Sequence, residues 1–476
     1  MPTYMAIRRE FRAGAALDPA ILSAIDRVAS SPRLGSCAQA WDPRAGGDPR
    51  AIVTTTTDLD EVRHALGPAH ACFHLEQEIL HRPQGAPRAK QVTLSIEVRS
   101  EGDVLRSALV VLLGTHAGGA FAASARTDEL GRATLAMPRD LHEARLVVHP
   151  VTGHWTMTSG IEGAAVEIEC PPLPEADRGL GWWHAALGID EPDPEAGKGV
   201  RIGVIDTGFD RNEALGHVVR VGPKGADEAA EHGTHVLGII GARPVRDGYG
   251  FLGVAPGAAL LSVAVDVDDG GADQAEISHA LDRLSKGEAV DLINLSMASR
   301  ERSGIVSDRV LDVYESGTLC ICAAGNQAEA VGWPARDDVA IGVSAIGRPD
   351  RYPRGSIAAR ACPVSAAGEH GYAFASFSCR GEGINCCGPG VGVISTIPRA
   401  LGAGGRPWAA MNGTSMAAPA VCGALAVLLA RRPQYLAMPR DGRRAELAAR
   451  VLREACRSVG LLPPFEGAGM PRVSGP

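Results

Sequence analysis

The sequence predicts an α/β protein: a mainly parallel sheet with helices on both faces, preceded by a smaller, mostly β region. Two patterns carry the α/β part. From residue 199 on, short apolar runs at 200–205, 258–265, 290–295, 318–323 and 339–345 alternate with helical patterns at 276–284 and 306–316. Strands that are apolar at nearly every position are buried on both faces, as in a parallel sheet between helix layers. The run from Ala420 to Ala430 is hydrophobic all round and reads as a helix in the core. A third pattern carries the β part. From Lys90 the period is two: Val92, Leu94, Ile96 and Val98 alternate with Thr93, Ser95, Glu97 and Arg99, so one face is buried and one wet.

Taken in order, residues 1–50 hold one amphipathic helical pattern at 19–28, then a stretch rich in Gly, Pro, Ser and Arg. Residues 51–57 read as a strand, because Ile52, Val53 and the threonines after them are β-branched. Asp58 or Asp60 can cap a short helix around Val62 and Leu66. Residues 72–79 read as another strand, which together make a β-α-β hint. Further strands are expected at 109–113, around Ala133 and Leu135 after the turn at 127–131, and at 146–148; this spacing suits a small β-sandwich. Pro171, Pro172 and Pro174 mark a linker. Residues 179–187, with Trp182 and Trp183, form a short helix docking on the α/β part. The expected division is an N-terminal α/β segment at 1–85, a β-sandwich at 88–170, a linker at 171–181, the α/β domain at 182–460 and a tail at 461–476.

Composition narrows the function. A chain of 476 residues suggests about three domains. A formal net charge of −8 argues against a nucleic-acid or anionic-membrane binder. Residues 1–12 carry charge with no apolar stretch behind them, and no apolar run is long enough to span a bilayer, so a cytoplasmic protein is expected. Among the 11 cysteines, Cys320, Cys322 and Cys422 sit in apolar surroundings, where buried free thiols are expected. Cys379, Cys386 and Cys387 cluster in a Gly-rich stretch and leave a disulfide open. No pair of cysteines has zinc-site spacing, so no metal centre is expected.

The chemistry gathers at three places. The apolar strand at 200–205 ends in Asp206-Thr207-Gly208, a carboxylate that needs a charged or donating partner there. His232-Gly233-Thr234-His235-Val236 opens an apolar run. Asn412-Gly413-Thr414-Ser415 delivers a serine to the start of the buried helix, with Pro419 expected in its first turn. Alone, Ser415 reads as a helix N-cap. An acid, an imidazole and a hydroxyl together are what nucleophilic acyl transfer requires: the imidazole takes the serine proton, and the carboxylate fixes its tautomer.

These three motifs, extended through Met416-Ala417-Ala418-Pro419, resemble the active-site signatures of the subtilisin-like (S8) serine peptidases, in that family's order of Asp, His and Ser. The resemblance covers residues 180–460. It implies a serine endopeptidase with Asp206, His232 and Ser415 as the triad and polypeptide as substrate. In Ala323-Ala324-Gly325-Asn326, it implies that the Asn326 side chain donates to the oxyanion. Ser296, Met297 and Ala298 resemble the strand that pairs with extended substrate, with Gly271 on the opposite edge. Ala324, Gly325 and Gly332 would border the S1 pocket. Gln327 is neutral where some relatives carry an acid, so large apolar side chains are expected at P1. His235 is expected in packing. Ala420 stands where many relatives have histidine. Residues 348–373 look like an insertion of unknown role. No cofactor is expected; calcium lacks a clear ligand pattern, since Asp247 alone is not a site. Separately, the pattern of residues 108–112 and 127–135 resembles a transthyretin-like or carboxypeptidase-regulatory β-sandwich. Two alternatives accompany the enzyme reading. One is a catalytically silent scaffold. The other is an enzyme kept latent by residues 1–170 until processing, with the N-terminal region touching the peptidase domain.

Overall fold

The computed structural model describes strands β1 (Thr3–Ile7), β2 (Ile52–Thr55) and β3 (Phe73–Gln77) and, apart from 117–118, 151, 211, 223–229, 246–249, 269–270 and 402–406, residues 91–474. The helical patterns expected at 19–28 and near 62–66 lie outside the described residues. β2 and β3 fall where the β-branched runs put them, but they flank β1, and both pair with it antiparallel. The β-α-β hint did not include β1. Its residues Tyr4, Met5 and Ile7 form too short an apolar pattern to stand out in sequence.

Eight strands come next: β4 (Gln91–Ser100), β5 (Asp103–Val104), β6 (Leu109–His116), β7 (Gly119–Arg126), β8 (Arg132–Pro138), β9 (His142–His149), β10 (Met157–Gly160) and β11 (Ala165–Glu169). They form two four-stranded sheets, one ordered β10-β9-β6-β7, the other joining β11, β4, β5 and β8. The alternation is real: Leu94, Ile96 and Val98 are fully buried, as are Val110, Leu112, Leu146 and Val148 from the other sheet. Burying one face of each sheet against the other gives a small two-layer core.

After helix α1 (Trp182–Ala186) comes an eight-stranded sheet of β12 (Arg201–Asp206), β13 (Val219–Arg220), β14 (Ala259–Ala264), β17 (Leu292–Leu295), β18 (Leu319–Ala323), β19 (Ile341–Gly347), β20 (Ala373–Phe374) and β21 (Cys386–Pro389). The order is β13-β14-β12-β17-β18-β19-β20, with β21 also on β19, and every pairing but β19–β20 is parallel. Two hairpins stand apart, β15 (Val267–Asp268) with β16 (Gly271–Ala272), and β22 (Val393–Thr396) with β23 (Trp408–Met411). Helix α2 (Glu231–Gly241) precedes β14. Helices α3 (Gln274–Asp282) and α4 (Gly304–Glu315) are capped by Asp273 and Ser303, whose side chains accept first-turn N–H groups. Helix α5 (Ile357–Ala361) lies in the insertion. Helix α6 (Thr414–Ala430) packs against α2, β17, β18, β19 and β21. It is buried along its length up to Leu429, as its unbroken apolar run demands.

α6 starts earlier than its sequence suggested. Its cap is Gly413, and Pro419 lies in the second turn rather than the first. A proline there removes the N–H that would bond the carbonyl of Ser415. The structure supplies a substitute donor: Ser296 Oγ donates to Ser415 O at 2.9 Å. Helix α7 (Gly442–Ala455) buries Ala445, Ala448, Val451 and Leu452 on one side, with Arg444 beside them. Arg444 and Arg440 both donate to the buried Asp291 carboxylate, at 2.7 and 3.1 Å. Residues 461–474, set apart in sequence as a tail, are folded in. Val473 N donates to Leu187 O at 2.8 Å, and buried Glu466 accepts from Ser458 Oγ, Val459 N and Leu461 N. The nine described cysteines, Cys379, Cys386 and Cys387 among them, are buried free thiols.

Candidate active site

β12 carries Asp206 at its C-terminal end, where open α/β sheets place their sites. The carboxylate is 2% exposed. Its Oδ1 accepts from Thr207 N at 2.8 Å and from His232 Nδ1–H at 2.8 Å. His232 stands in the first turn of α2, and its approach depends on a glycine. A Cβ on Gly233 would lie 2.0 Å from Gly208 O and 3.1 Å from Asp206 Oδ1. Thr207 Oγ1 accepts from Gly233 N at 3.1 Å, which locks the first turn of α2 to the end of β12. Thr234 completes the seat, its Oγ1 accepting from Asp210 N at 3.0 Å and its carbonyl accepting from Thr396 Oγ1 at 2.8 Å.

Electrostatics follow from that geometry. The Asp206 carboxylate raises the pKa of His232 above the ordinary 6.5; burial opposes it, and the Asp206 hydrogen bond and the Glu231 charge assist. The neighbouring His235 behaves oppositely. It is fully buried, its Nε2–H donates to Ala409 O at 3.0 Å, and burial pushes its pKa down to about 3. A histidine held neutral this way is a packing residue, as expected.

Ser415 lies in the first turn of α6 and is 9% exposed. Its Oγ donates to Ser296 O at 3.0 Å while Ser296 Oγ donates back to Ser415 O, so the strand end at 296 and the helix start grip each other. Asn294 Nδ2 donates to Ser296 Oγ at 2.9 Å and extends the chain of bonds into β17. Asn326 lies just beyond β18. Its Oδ1 accepts from Thr414 N and from Thr414 Oγ1, each at 2.9 Å. A backbone N–H can only donate, so the oxygen must face Thr414, and the amide Nδ2 is turned toward Gly413. Thr414 Oγ1 in turn accepts from Gly325 N at 3.1 Å. The orienting role of Thr414 was not drawn from the sequence, although the residue stands inside the serine motif.

The other sequence-selected residues fall on two sides. Ser296, Met297 and Ala298 extend β17, and Ser299 pairs antiparallel with Trp333. A Cβ on Gly332 would meet Ser299 O at 2.8 Å and Ala298 Cβ at 3.1 Å, so glycine there lets two segments close on each other. Gly332 N donates to Ala324 O at 2.8 Å, and Gly325, at φ +109°, packs toward Gln327 and Cys379. Residues 296–299, 324–325 and 332 thus converge beside Asn326. Gly271 lies in the β15–β16 hairpin.

Residues 197–459 match the family model for peptidase S8, the subtilase family. The chain is 33% identical to subtilisin BL of Lederbergia lenta over 243 residues, which are 50% of this chain and 79% of that protein. It is 31% identical to subtilisin E of Bacillus subtilis strain 168 over 245 residues, 50% of this chain and 58% of that protein. Among solved structures, Sphericase aligns with a TM-score of 0.49 at 24% identity, covering 63% of this chain and 100% of that one. The expectation of a cytoplasmic protein is corrected by these relatives: the subtilisins matched are secreted extracellular enzymes. Among the described residues no helix is long and apolar enough to cross a membrane. The match spans more than half of the chain and the whole of the sheet's motif-bearing part, and the chain therefore belongs to the subtilase family, as a serine endopeptidase that acts on polypeptides.

Proposed function

We propose that this peptidase works through Asp206, His232 and Ser415, with Asn326 and the Ser415 N–H receiving the oxyanion. The observation that supports it most is the 2.8 Å bond from His232 Nδ1–H to a buried carboxylate. That bond commits the ring proton to Nδ1 and leaves Nε2 as the base. Ser415 Oγ turns from Ser296 O and attacks the scissile carbonyl as Nε2 takes its proton. The carbonyl oxygen becomes negative and meets the Asn326 amide N–H and the N–H at the start of α6. The imidazolium gives its proton to the departing amine, the C–N bond breaks and an acyl-enzyme remains. Water repeats the sequence and frees Ser415.

Extended substrate pairs with Ser296, Met297 and Ala298, with Gly271 on the other edge, and Ala324, Gly325 and Gly332 border S1. With neutral Gln327 beside Asn326, large apolar P1 residues are preferred over basic ones. The domain, expected over residues 182–460, extends through the folded-in segment to residue 474, and it needs no cofactor. The region at 88–170 is of the transthyretin-like or carboxypeptidase-regulatory type, a reading its two sheets favour. The intact chain is latent until a cut near the N-terminus. Labelling by a fluorophosphonate that disappears in Ser415→Ala is the expected result. No labelling of the wild type, intact or processed, would leave a silent scaffold as the better reading.

A further inference from the structure

We infer that the β-sandwich is a permanent part of the working enzyme, clamped to the peptidase domain by residues 348–373, and that it does not leave on activation. The clamp is partly main chain. Ile357 N donates to Thr156 O at 3.0 Å, Thr158 N donates to Gly355 O at 2.9 Å, and Met157 and Ser356 form an antiparallel bridge. The start of β10 and the residues leading into α5 thus share an edge, which gives the insertion a purpose. A further bond runs from Gly153 N to Trp408 O at 3.1 Å.

The rest of the clamp is aromatic. Trp155 is 5% exposed and meets the ring of Tyr352 edge-on, with centroids 5.9 Å apart. Tyr352 is fixed from the peptidase side: its Oη donates to Val391 O and accepts from Arg348 N, both at 2.9 Å. A Cβ on Gly392 would lie 2.6 Å from the Tyr352 ring and 3.2 Å from that of Trp155, so this glycine makes room for the pair. Buried residues of the sandwich, among them Leu94, Val110 and Met157, belong to one continuous apolar cluster with Val391, Trp408 and Met416. Departure of the sandwich would bare that aromatic surface and strand paired N–H and C=O groups, so the separated pieces are the unfavourable state.

The clamp also touches the elements that carry the site. Trp408 opens β23, the strand leading into Gly413 and Ser415. His149, in β9, places Nε2 3.9 Å from the carboxylate of Glu231, the residue before His232. A segment built into both supports is a structural partner of the catalytic domain. Any activating cut therefore falls before residue 91.

The test cuts the chain at the exposed part of the linker. A recognition sequence for an unrelated cysteine peptidase is placed between Glu175 and Arg178 of the full chain, in wild-type and Ser415→Ala backgrounds. After cleavage, the two pieces of the Ser415→Ala protein are expected to co-elute on gel filtration. The wild type, once processed near its N-terminus and then cleaved at the linker, should keep the peptidase rate of the processed but uncleaved enzyme within about twofold. Trp155→Ala in the same cleavable chain should let the pieces separate. The inference is overturned if the uncompromised pieces separate in buffer, if the rate rises about tenfold or more on cleavage, or if the mature active enzyme begins after residue 170. Co-elution is read without any activity, so it stands or falls apart from the triad assignment.

Discussion

Replacing Asp206 by Asn tests the site at its most buried point. The Oδ1 position accepts from Thr207 N and from His232 Nδ1–H, while Oδ2 is buried with no hydrogen-bond partner among the described residues. An asparagine therefore has two poor choices. With its oxygen at the Oδ1 position, its NH₂ group is buried at Oδ2 without an acceptor, at a cost of about 1–3 kcal/mol. With its NH₂ group toward His232, it can bond only a ring whose Nδ1 is unprotonated, and Nε2 then carries the proton and cannot act as base. Either way the charge that stabilises the imidazolium is gone. The same change in another Asp-His-Ser triad lowers kcat about 10⁴-fold, which at about 1.36 kcal/mol per decade is roughly 5 kcal/mol of transition-state stabilisation. The pH profile carries a second signature. Asp206 is the largest cause raising the pKa of His232, and burial opposes it. The acid limb of kcat/KM, set by loss of the neutral imidazole, should lie above the ordinary 6.5 in the wild type and move to lower pH in Asp206→Asn. Initial rates on a chromogenic peptide from about pH 5 to about pH 9 report both. A loss below about tenfold, or a limb that stays in place, would refute the reasoning.

Four further outcomes are expected from the same geometry. Asn326→Ala should lower kcat by about 10²–10³ with little change in KM, the size found when subtilisin itself loses its oxyanion asparagine; single-turnover acylation rates check it. Gly233→Ala drives a methyl into Gly208 O, 2.0 Å from the Cβ position, so α2 cannot seat; fluorophosphonate labelling should vanish, whereas Gly287→Ala, with open space around it, should label normally. Asp291→Ala leaves Arg444 buried without its carboxylate; breaking a buried pair costs about 3–5 kcal/mol, to be read as a lower urea midpoint. His184 and His235 are buried with pKa values pushed down to about 4 and about 3. The unfolded chain binds protons there that the fold refuses, so stability is fullest above about pH 6.5 and falls as pH drops, by up to roughly 1.4 kcal/mol per unit for each histidine. Melting temperature against pH should show that slope, and His235→Gln should flatten it.

Much of this protein was legible before any coordinates. The apolar runs at 200–205, 290–295 and 318–323 became β12, β17 and β18, because a strand covered on both faces has no polar position to disguise it. The alternation of Leu94, Ile96 and Val98 placed the β4 core for the complementary reason. Asp206, His232, Ser415 and Asn326 could be singled out because each sits in a run of small residues whose order is a signature, and the 2.8 Å contact between the first two fits the roles proposed for them. Other features depend on what happens to lie opposite. Nothing local says that Ser296 supplies the donor that Pro419 removes from α6, or that Thr414 turns the Asn326 amide. Nor could the sequence say what the insertion at 348–373 is for, since Ile357 and Thr156 are paired only by the fold. Residue type and local period, which act within a few positions, determine where strands and helices run and which side chains can do chemistry. Hydrogen-bond orientation, the choice of helix start and the docking of one layer on another are contacts between distant segments, and only the tertiary structure decides them.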